Sequence, residues 1–136
     1  MAQVSLEVPA GLVRPLRDTV LLLFQATAEA LHFALRARAG PGEPLDEVHQ
    51  HRARLAALGE LLDRLGWSGE PAPGDLELSA PRDILQDALH GALIDAGERL
   101  AGACSGRWQG EAGVESVRAA ATEVIALDRL VARIQA

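Results

Sequence analysis

This chain of 136 residues contains no tyrosine and no lysine; its 13 basic residues are all arginine. Without lysine there is no P-loop lysine, no Schiff base and no kinase-type catalytic lysine. An all-arginine choice fits coding in a GC-rich, bacterial genome. Cysteine is almost absent. Cys104 stands alone, which excludes an internal disulfide and a multi-cysteine zinc site. At the end of an alanine-rich stripe it reads as a small core hydrophobe. Aromatics are limited to two Trp and two Phe, too few for a base-stacking platform. Long apolar runs are missing as well. The densest, Val20–Phe24, is far short of the roughly 20 residues of a membrane span. Met1–Leu6 has neither a basic region nor a long apolar run. A secretory leader is therefore not expected, and the expected location is the cytoplasm. Positive charge is in deficit: the net charge is −6. That opposes nonspecific binding to nucleic acid and to anionic membranes.

Apolar residues are plentiful at 49%. That suffices for one packed domain spanning 1–136. Residues 3–8 alternate, with Val4, Leu6 and Val8 on one side and Gln3, Ser5 and Glu7 on the other. This predicts a short half-buried strand ended by Pro9. A first helix is predicted from about Gly11 to Ala39, with Pro15 in or near its first turn. Its stripe is Leu12, Leu16, Val20, Leu23, Thr27, Leu31 and Ala34. A second is predicted from near Pro44 to Leu65, stopped by Gly66. A second strand is expected at Asp75–Leu78. A third helix follows, with Ser79 as N-cap and Pro81 in its first turn. Ser105–Gly110 breaks the pattern, and a fourth helix runs from near Glu111 to the end. The expected fold is mainly α: an antiparallel four-helix domain with two short strands paired to each other.

The two halves, roughly 1–68 and 69–136, resemble one another. Leu6-Glu7-Val8 matches Leu76-Glu77-Leu78, and Leu62-Asp63-Arg64-Leu65 matches Leu127-Asp128-Arg129-Leu130. The strands match as well as the helices, which favours a β-α-α duplication with pseudo-twofold symmetry over chance likeness of Ala/Leu helices.

Three groups of residues are candidates for function. Glu29-x-x-His32 and Asp87-x-x-His90 each place a carboxylate and an imidazole on one helix face. Di-iron bundle cores use two such pairs with single carboxylates from the other helices, a place Glu60 and Glu123 can take. Against this, neither histidine lies on its helix's apolar stripe, and the same spacing is common on helix surfaces. A second group, His49, His51, Arg52 and Arg54, adjoins Arg36 and Arg38. It reads as an anion or partner patch, or as an ordinary solvated helix face. The third is the girdle Val20, Leu21, Leu22 and Phe24. It makes the first helix apolar all round there, as a bundle centre or a subunit interface requires. Trp67 and Trp108 flank the third helix and would seal the ends of the core.

Several helical enzyme classes lose their motifs here. No arginine precedes a histidine at ribonuclease spacing, no lysine follows a phosphotransfer histidine, and no Glu-Glu-x-x-Glu cluster exists. The expected function is a non-enzymatic protein-interaction or regulatory module, homo-oligomeric, with no cofactor. The alternative is a small-molecule or metal-binding bundle using the two carboxylate–histidine pairs. A weaker alternative is a DNA-binding regulator presenting a paired strand ribbon, which requires basic residues such as Arg14 and Arg17 beside the strands.

Overall fold

A computed structural model describes residues 3–37, 46–67, 74–105 and 110–135, with side chains of the last segment from 113 onward. The order is β1 (Gln3–Val8), α1 (Ala10–Arg36), α2 (Asp46–Leu65), β2 (Leu76–Pro81), α3 (Arg82–Ser105) and α4 (Gly110–Gln135). α1 packs mainly on α2, α3 mainly on α4, and α1 also touches α3. No described helix is long and apolar enough to cross a membrane.

β1 and β2 pair antiparallel, from Gln3 opposite Pro81 to Val8 opposite Leu76. Alternation decides which face is which. Leu6, Val8, Leu78 and Ala80 are buried under the helices, while Gln3, Ser5, Glu7, Glu77 and Ser79 face outward. Glu7 and Glu77 are direct partners.

β2 corrects the expected start of the third helix. Ser79, expected to be an N-cap, is a strand residue opposite Ser5, and Pro81 ends the strand opposite Gln3. The ladder runs the full length of β1, and burial of Ala80 rewards that extension. Proline is tolerated at a strand end, where no ladder donor is needed.

α1 begins one residue early, at Ala10. It lacks a local cap, because Pro9 has no side-chain donor or acceptor to offer. Asp75, just before β2, supplies one from the other half: its Oδ1 accepts the Ala10 N–H at 3.1 Å. Asp75→Ala should lower stability by roughly 1 kcal/mol, read by urea unfolding; an unchanged midpoint would remove the cap from the account. Pro15 lies deeper than the first turn. The carbonyl that loses its donor is that of Gly11, which is exposed and can bind water. α2 ends as expected: Gly66 takes φ 87°, and its N–H returns to the Leu62 carbonyl at 2.8 Å.

The core joins both halves. Leu12, Leu16 and Val20 of α1 meet Leu58, Leu61 and Leu62 of α2, Leu85, Leu89 and Ala92 of α3, and Leu127 and Ile134 of α4. Polar groups tie the elements at the rim. Arg82 Nη1 donates to the Ile134 carbonyl at 2.8 Å, capping the end of α4. Arg64 Nη2 donates to the Glu77 carbonyl at 3.0 Å. Arg99 on α3 grips both Glu123 oxygens of α4, at 3.0 and 2.6 Å, and lies 3.2 Å from Asp95. The Glu123 hydrogen bond, more than any other neighbour, raises the Arg99 guanidinium above its ordinary value and outweighs the opposing effect of desolvation.

Candidate functional site

The apolar girdle separates once α1 is packed. Val20 is fully buried at 0% exposure and belongs to the core, so it is not an interface residue. Leu21 and Phe24 are half-buried against the same core. The Phe24 ring stands edge-on to Trp67, centroids 5.2 Å apart, and lies 3.7 Å from where a Gly59 Cβ would be. The Trp67 indole N–H donates to Asp63 at 2.8 Å. Of the four residues, Leu22 alone is open, at 68% exposure. The reason is angular. Adjacent helix positions diverge by about 100°, so a run apolar on every side is divided among α2, the core and solvent.

Leu22 is not isolated. Phe33 lies about three turns further along α1 on the same side and is 66% exposed. Between them lie exposed Ala26 and Glu29. α4 carries a comparable outer face. Val114 and Ile125, again three turns apart, are 46% and 53% exposed, with Arg118 and Ala121 between them. Composition does not reveal this face: both residues sit in an ordinary helical pattern, and only packing shows which apolar positions α3 leaves uncovered.

The two carboxylate–histidine pairs do not converge. Glu29, His32, Asp87 and His90 are all exposed. Among the described residues no three His, Cys, Asp or Glu side chains are grouped to hold a metal ion. Asp87 is instead the ion-pair partner of Arg54, at 2.8 Å, joining α2 to α3. Glu123, the carboxylate expected from the fourth helix, is held by Arg99. His90 and Asp87 line a shallow hollow of about 210 Å³ against the end of α4.

The basic patch is also divided. Arg36, His49 and Arg52 are exposed, whereas Arg38 lies outside the described residues. Arg54 is matched by Asp87, and His51 lies 3.6 Å from Glu47. His51 and Arg54 line an open cleft of about 480 Å³ between α2 and the start of α3. Its other walls are Ala53, Ala57, Pro81 and Ile84, with Asp83 at the edge. Carboxylates thus lie beside Arg54 and His51, whereas Arg36 and Arg52 are in no ion pair among the described residues. Cys104 is exposed rather than core. Trp108 lies outside the described residues.

The outer face of the ribbon is acidic. Ser5, Glu7, Asp75 and Glu77 line one hollow, and Glu60, Asp63, Arg64, Glu77 and Ser79 line the next. Of the two arginines expected beside the strands, Arg17 is 9% exposed and Arg14 is open to solvent. A phosphate backbone meets repulsion at this face.

Comparison with family models, curated proteins and solved structures finds no match. The functional reading therefore rests on the residues themselves.

Proposed function

We propose that this chain is a non-enzymatic module that works through protein contacts and assembles with copies of itself in the cytoplasm. The observation that carries this reading is the outer face of α1. Leu22 and Phe33 stand open on one side of a helix whose other large apolar residues, Leu35 apart, are buried or half-buried. Apolar side chains spaced along one exposed helix face favour burial by a partner. The face keeps polar neighbours, as interface rims do. The matched strand–helix–helix halves fit a duplicated unit, with the strand pair as the joint between its two copies.

Native mass spectrometry across a range of protein concentrations tests the reading. The wild-type chain should appear as more than one subunit. Leu22→Glu combined with Phe33→Glu should give monomers with unchanged helicity, because neither side chain supports the core. A wild-type chain that remains monomeric throughout would end the self-association reading.

A further inference from the structure

We propose that the outer face of α1 on one copy lies antiparallel along the outer face of α4 on a second copy. This rests on the self-association reading and names the surface that completes it. The two faces share one spacing. On α1, Leu22, Ala26, Glu29 and Phe33 follow each other at steps of four, three and four residues; on α4, Val114, Arg118, Ala121 and Ile125 do the same. That is the period of a helix–helix seam. Seven of the eight residues are exposed, and Ala121 is half-buried.

The direction follows from chemistry. Antiparallel alignment sets Leu22 against Ile125, Ala26 against Ala121, Glu29 against Arg118, and Phe33 against Val114. Each level is then apolar on apolar, small on small, or acid on base. Parallel alignment sets Arg118 against Ala26 and Glu29 against Ala121, leaving both charges facing methyl groups. Burial of an unpaired charge is costly, so the antiparallel register is favoured. The Ala26–Ala121 level lets the helices approach closely, with large side chains closing over it on either side.

The charges are available for this pairing. Glu29 has no ion-pair partner in its own chain among the described residues. Among the described residues Arg118 makes one ion pair, with its neighbour Glu115 at 3.8 Å on an open surface, a contact of little worth in water. The complementarity lies between two faces of the same sequence, so the occupant is a second copy. Each copy carries both faces, and two copies can close on each other through two seams.

Analytical ultracentrifugation on charge-reversed variants reads the pairing directly. Glu29→Arg and Arg118→Glu, made singly, should each weaken self-association about tenfold or more. Made together, they should restore it, and that rescue also shows that the doubly substituted chain folds. Ile125→Glu should dissociate the assembly as fully as Leu22→Glu. If Leu22→Glu dissociates it while Ile125→Glu and Arg118→Glu do not, the α4 half of the seam is wrong and the self-association reading stands. If both singles weaken it and the double does not recover, the register is wrong. A wild-type monomer overturns both readings together.

Discussion

Leu89→Ala should lower the unfolding free energy by about 3–4 kcal/mol. Leu89 lies on α3 and is fully buried, at 0% exposure. α3 touches α1, α2, α4 and β2, and Leu89 belongs to the core that these elements share. Truncation removes its transfer free energy and leaves a cavity that helices held on several sides cannot readily fill. A domain of this size has roughly 5–15 kcal/mol to lose, so the shift is a large part of the total. Leu22→Ala provides the contrast. Leucine is the same residue type there, but it is exposed, and the expected change in the folding of a single chain is within about 0.5 kcal/mol. Urea unfolding at one fixed protein concentration, chosen because self-association adds to apparent stability, checks both. A loss below about 1 kcal/mol at Leu89 would mean that α3 is not the centre of this core.

Gly91→Val should cost about 1–3 kcal/mol, and Thr19→Ala should recover part of it. A Cβ at Gly91 would lie 2.8 Å from the Thr19 Cγ2, closer than carbon atoms tolerate. Glycine inside a helix is otherwise a weakness, since replacement by a residue with a side chain normally gains helix propensity. Here the close approach of α1 to α3 reverses that sign. The opposing group is a short, stiff β-branched side chain, so the helices themselves must part, and overpacking of that kind costs about 1–3 kcal/mol. In the Thr19→Ala background the methyl is gone, and valine at 91 should be tolerated better. A double-mutant cycle with no coupling between the two positions would show that α1 and α3 do not meet there.

Much of the fold is legible along the chain because period and punctuation are local properties. Alternation at Val4, Leu6 and Val8 gives β1, and Gly66 stops α2 through its positive φ. Leu12, Leu16 and Val20, read as a stripe, are buried. Local rules fail where a distant partner intervenes. Ser79 has the chemistry of an N-cap and becomes a strand residue, because β1 offers it a ladder partner. The cap of α1 comes from Asp75 across the joint between the halves, beyond the reach of any short motif.

The candidate sites divide along the same line. The spacing of Asp87 and His90 is correct for a shared helix face, yet spacing along one helix does not say what that face meets. Arg54 reaches Asp87 from α2 and holds it as half of an ion pair. Val20 and Leu22 look alike in a run of apolar residues, and opposite sides of one helix send the first to the core and the second to solvent. The sequence by itself determined the four helices, the two strands and the apolar stripes, because helical and strand periods are set by covalent geometry. Only the tertiary structure decided which apolar residues remain open, which carboxylates are already paired, and where α1 crosses α3, because those depend on how separate elements pack against one another.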